Sequence, residues 1–110
     1  MASINERIRA VVTPIVPDCV PDQYGGEAEI YCVFYVEEHP TGFEDDAPTA
    51  VRASVTLHLY ATIGRNTLQL RKELRRAIAA VEDFTAPTVL PDNDAGDQHY
   101  IFEFEALEAW

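Results

Sequence analysis

The sequence predicts an α+β fold: a single two-layer domain in which an antiparallel or mixed sheet of about four strands carries two helices on one face, in the order α-β-β-α-β. Three observations predict it. Apolar residues recur at helical spacing in two segments, they alternate with period two in three others, and clusters of Pro and Gly separate the segments. At 110 residues the chain has room for one core, so residues 1–110 are expected to form one domain, and its 47% apolar content is ample for it.

Ser3-Ile4-Asn5-Glu6 has the form of a capping box and predicts that the first helix starts at Ile4. Ile4, Ile8, Val11, Val12 and Ile15 share one face, and Pro14 is expected to push Thr13 out of the helical region and end the run. Pro14, Pro17 and Pro21 with Gly25 and Gly26 predict an irregular crossing, with at most a short extended segment over residues 16–20.

Residues 29–37 (EIYCVFYVE) predict a strand with Ile30, Cys32, Phe34 and Val36 on one face and Tyr31, Val33 and Tyr35 on the other. Both faces are apolar. The strand is therefore expected to be central in the sheet or to have its second face covered, by the same chain or by another subunit. Residues 39–49 (HPTGFEDDAPT) predict a long acidic turn whose only large apolar residue is Phe43. The next strand, residues 50–61, alternates, with Val51, Ala53, Val55, Leu57 and Leu59 facing in, and is expected to pair antiparallel with the first.

Gly64 to Thr67 break that strand and offer caps for the main helix, read through to Glu82. Leu70, Leu74, Ala77, Ile78 and Val81 form its apolar arc, and Arg71, Lys72, Arg75 and Arg76 occupy the adjoining one. Pro87, Pro91 and Gly96 surround a short extended Thr88-Val89-Leu90, and residues 98–106 (QHYIFEFEA) alternate as the last strand.

The familiar constellations of catalysis are missing. Ser3 serves better as a cap than as a nucleophile and Ser54 lies within an alternating strand; Gly64 opens no phosphate-binding loop; so no enzymatic activity, and no cofactor, is expected. His39, His58 and His99 read as three unrelated histidines, and Cys19 and Cys32 as two reduced thiols, without metal spacing. Residues 92–97 (DNDAGD) approach a calcium loop, but Asp97 stands where that loop needs its glycine, so a polar turn is expected and no metal.

Charge is more informative. Nineteen acids against eight basic residues give a formal net charge of −11, which argues against nucleic-acid binding through a basic footprint. The charges are also segregated. Residues 27–46 and 82–108 hold seven and eight acids with no Lys or Arg, while Arg65, Arg71, Lys72, Arg75 and Arg76 lie between them. A basic helix flank on one copy is expected to meet an acidic loop on the next, with Glu37, Glu38, Glu44, Asp45, Asp46, Asp92, Asp94 and Asp97 as candidates for an interface or a lumen. The longest apolar stretches fall far short of the roughly 20 residues of a membrane-spanning helix, and the N-terminus lacks a signal-peptide pattern, so a cytoplasmic protein without membrane contact is expected.

The short first helix, the Pro-rich crossing, IYCVFYV, the acidic loop, ASVTLHLYAT, TLQLRKELRRAI and YIFEFEA together resemble the tail terminator and tail completion proteins of long-tailed bacteriophages. The resemblance implies a structural virion protein, made in the host cytoplasm and placed at the tail-to-head junction. There it would form a ring, commonly of six copies, that caps the tail tube, contacts the tube protein and the head-tail connector, and lets DNA pass without specific binding. Alternatives are another head-tail junction or minor tail protein, or a monomeric acidic module that docks on a basic partner.

Overall fold

The computed structural model describes residues 3–93 and 97–110. Two helices and a five-stranded mixed sheet form one α+β domain: α1 (Ile4–Val12), β1 (Cys19–Pro21), β2 (Ile30–Thr41), β3 (Ala50–Thr62), α2 (Leu68–Ala79), β4 (Thr88–Pro91) and β5 (Asp97–Ala109). The class is as expected, but the sheet has five strands rather than about four, and the order is α-β-β-β-α-β-β. The difference lies in two short edges. Cys19–Pro21 and Thr88–Pro91, three and four residues long, both join the sheet, whose spatial order is β1-β2-β3-β5-β4. β1 runs parallel to β2, and every other pair is antiparallel.

α1 starts where the capping box places it, with the Glu6 amide donating to Ser3 Oγ at 3.2 Å. Thr13 does not leave the helical region: it caps the helix with φ −61° and ψ −28°, and its hydroxyl donates to the Arg9 carbonyl. α1 is pinned by its cations. Arg7 donates to the carbonyls of Glu82 and Leu107 and lies over the Phe84 ring, while Arg9 donates to the Cys19 carbonyl.

The odd-numbered side chains of β3 from Val51 to Ala61 are buried, as their alternation predicts, and one cluster joins Ala53, Val55, Leu57 and Leu59 to Ile8 and Val12 of α1, Leu74 and Ile78 of α2, Phe34 and Phe102. Both helices thus cover the same sheet face. The other face carries neither. Cys19 and Cys32 are free, buried and in register on β1 and β2, and burial pushes the Cys19 thiol up to about 12.

β2 runs on to Thr41, through Pro40 and into the segment expected to be a turn. Its backbone groups explain why. Cys32 and Phe34 direct theirs toward the β1 side, bonding Asp18 and Asp22, and with period two Val36, Glu38 and Pro40 face the same way, beyond the end of β1. Proline is compatible with a strand whose missing N–H faces an open edge.

Candidate functional site

The uncovered face of the sheet carries an aromatic row. Tyr31 of β2, Tyr60 of β3 and His99 of β5 are register neighbours, and Tyr24 extends the row from the crossing before β2. The ring centroids are 4.1 Å apart for Tyr24 and Tyr31, 5.0 Å for Tyr31 and Tyr60 and 4.3 Å for Tyr60 and His99, with interplanar angles of 13°, 20° and 11°. Sheet geometry dictates this stack. Strands lie about 4.8 Å apart and their side chains stand perpendicular to the sheet, so flat rings on neighbouring strands meet face to face. Ring faces within the row are spent on one another, which leaves edges rather than stacking platforms for a nucleobase.

The segment leading into the row is built around Tyr24. Its hydroxyl accepts from the Ala28 amide at 2.9 Å and lies where a side chain at Gly26 would otherwise sit. Glycine at position 26 therefore lets the ring close over Tyr31.

At the other end of the row, two of the three histidines are partners, which corrects the expectation that they are unrelated. His58 Nδ1 lies 2.7 Å from His99 Nε2, and His99 Nδ1 lies 3.4 Å from the Asp92 carboxylate. The carboxylate favours the proton on His99 Nδ1, leaving Nε2 to accept from His58 Nδ1–H. One further proton can sit on the outer nitrogen of His58. A second would place two N–H groups against each other. Burial pushes His58 below its ordinary range and the neighbouring His99 adds to this, while Asp92 opposes it. The facing nitrogens bond each other instead of converging on a cation, and among the described residues no group of three His, Cys, Asp or Glu is placed to hold a metal ion. Tyr35 meets the His58 ring edge-on at 5.5 Å and is 47% exposed.

No protein-family model matches the chain, and no curated protein matches it. A solved structure is similar with 15% sequence identity and a TM-score of 0.62, over 97% of this chain and 87% of its own, and the name of that protein states no function. The likeness is one of fold.

The sequence-predicted charges fall on two separate places. Arg65 is engaged within the chain, 3.2 Å from Glu29, and Arg71 donates to Thr67 Oγ1 with its guanidinium 4.1 Å above the Tyr100 ring. Lys72, Arg75 and Arg76 are exposed and make no ion pair among the described residues. Between α2 and β4 lies a groove of about 260 Å³, floored by Val89, Pro91 and Tyr100 and rimmed by Arg71, Lys72 and Arg75.

Glu44, Asp45 and Asp46 form the tip of the β2–β3 hairpin, while Glu37 and Glu38 are exposed on β2 below it. The tip is built rather than loose. Glu44 and Ala47 exchange backbone hydrogen bonds around Asp45 and Asp46, whose φ values of 49° and 63° are those of a type I′ turn. Phe43, 64% exposed, leads into it. Asp92 pairs with His99, Asp97 opens β5, and Asp94 lies outside the described residues. Within one chain the acidic tip and the basic groove do not meet: Tyr100 is in register with Leu59, nine residues along β3 from Ala50, or about 30 Å.

Proposed function

We propose that this chain is a structural subunit of a phage-type tail, a terminator or completion protein that closes into a ring, caps the tail tube and joins it to the head. The observation that carries this reading is the separation of two complementary surfaces on one rigid sheet, a basic groove toward one end and an acidic hairpin tip at the other. Unlike surfaces on opposite ends of a subunit make heterologous contacts, which close into a ring where the rotation allows.

The bare sheet face supports the same reading. Its aromatic row and half-exposed Tyr35 and Leu107 offer side-chain area to a neighbour without a helix in the way. The acidic balance suits a channel through which DNA slides, because tight DNA binding needs phosphates neutralised by Lys and Arg. Acids not engaged by neighbouring copies, Asp92 and Asp97 among them, then face the lumen, and the Arg71 to Arg76 flank faces protein.

Incubating the protein with purified tail tubes and imaging the tube ends by electron microscopy tests the proposal. A ring of extra density at one end of each tube is expected. Bare ends at saturating protein would sink it.

A further inference from the structure

We propose that Phe43 is the anchor of the copy-to-copy contact: it seats in the groove between α2 and β4 of the next copy, where Glu44, Asp45 and Asp46 meet Arg71, Lys72 and Arg75. The inference rests on the assembly reading above and names the surfaces that would join.

The two sides match in chemistry. Phe43 is the large apolar side chain of the hairpin tip and is 64% exposed, with three acids directly after it. The groove has the inverse design, an apolar floor of Val89, Pro91 and Tyr100 under a rim of three cations. Lys72 and Arg75 have no acid of their own among the described residues. Arg71 is held in place by Thr67 and the Tyr100 ring, so its positive charge is positioned before any partner arrives.

They match in size and rigidity as well. A cavity of about 150 Å³ holds benzene, so the groove of about 260 Å³ admits a phenyl ring. The anchor is carried on a hairpin whose turn fixes Asp45 and Asp46 in the left-handed region, and Thr49 donates its amide to the carbonyls of Thr41 and Gly42. Ordering the tip on binding therefore costs less than ordering a loose loop of the same length would.

Geometry excludes the intramolecular alternative. The groove floor is about 30 Å along β3 from the base of the tip, and the strands between are continuous. Each copy thus offers one knob and one hole that cannot satisfy each other, and a chain of such contacts runs head to tail.

The test uses full-length variants altered at exposed positions, each checked for parental circular dichroism. The knobless variant carries Phe43→Ser. The holeless variant carries Lys72→Glu and Arg75→Glu. In sedimentation velocity the parent is expected to gain mass with concentration, and each variant alone to associate more than about tenfold more weakly. Mixed, they should form a one-to-one heterodimer and nothing larger, since the pair retains one intact knob and one intact hole that face each other. Variants that self-associate as the parent does would overturn the inference and leave assembly through another surface standing. A parent that stays monomeric to millimolar concentration, with Val89 and Tyr100 NMR signals that do not move, also overturns it, and the tube-end experiment then judges the assembly reading separately.

Discussion

Replacing Tyr31 by Val should destabilise the fold by about 2–4 kcal/mol although Tyr31 lies outside the helix-covered core. Tyr31 is held between two rings, with centroids at 4.1 Å to Tyr24 and 5.0 Å to Tyr60. Each such pair contributes about 0.5–1.5 kcal/mol beyond area burial, so losing both costs about 1–3 kcal/mol. Tyr24 then loses its seat, and the Ala28 amide loses a hydrogen bond of about 1 kcal/mol. Valine keeps the strand propensity, which confines the loss to the row. At about 4 °C per kcal/mol for a domain of this size, the melting temperature should fall by about 8–16 °C. Urea unfolding followed by circular dichroism measures the cost, and a double-mutant cycle with Tyr24→Val isolates the stack. A coupling energy of about 0.5–1.5 kcal/mol is expected. Additivity within about 0.3 kcal/mol would show that the two rings are neighbours without being partners, and the account of the row would be wrong.

Four further outcomes follow from the same geometry. Gly26→Ala should unseat Tyr24 and speed hydrogen exchange of the Ala28 amide, while parental exchange there would contradict the role given to that glycine. Leu57→Ala, between Phe34 and Phe102 and fully buried with them, should cost about 2–5 kcal/mol, whereas Leu107→Ala at the half-exposed end of β5 should cost under about 1 kcal/mol; equal urea midpoints for the two would misassign the core face. His58 is held below its ordinary range, so between the two ranges the unfolded chain binds more protons: its stabilising effect is full above the unfolded value near 6.5 and is lost as pH falls below it. The parent should therefore lose stability relative to His58→Asn between about pH 8 and 5.5, and a constant difference would refute the proton-sharing arrangement. Burial raises both thiols, Cys19 to about 12, so neither should react with an aromatic disulfide reagent at about pH 8 until the chain is unfolded, when both should.

Much of the architecture was legible because the longer elements carry their period plainly. Ser3 capped the first helix as read, and β3 buried the odd-numbered residues that its alternation assigned. The edges were legible only as short extended segments, over residues 16–20 and from Thr88 to Leu90, and not as members of the sheet: three and four residues are too few to establish a period of two, and both lie among prolines. Pro40 looked like a strand end because a sequence does not say which side of a strand faces an empty edge. The basic flank of α2 could be read from helical spacing, although Arg65 and Arg71 turned out to be partly occupied by Glu29 and by Thr67 with Tyr100. Phe43 stood out in the sequence without a role, since the groove proposed to receive it is formed by two elements, α2 and β4, far along the chain. The row and the histidine pair depend on register. Tyr31, Tyr60 and His99 each alternate in phase with their own strand, but only the pairing of β2, β3 and β5 brings them side by side.

Pro40 also decides how this sheet can grow. A foreign strand laid beside the outer half of β2 would find the donors of Val36 and Glu38, then none at Pro40, with Glu37 and Glu38 projecting on either face. That edge is a poor template. A protein that assembled with further copies of itself, as proposed, would be at risk of indiscriminate strand addition, the route to fibres, and the missing N–H at one position would steer such encounters away from the backbone and toward side chains, where recognition is selective.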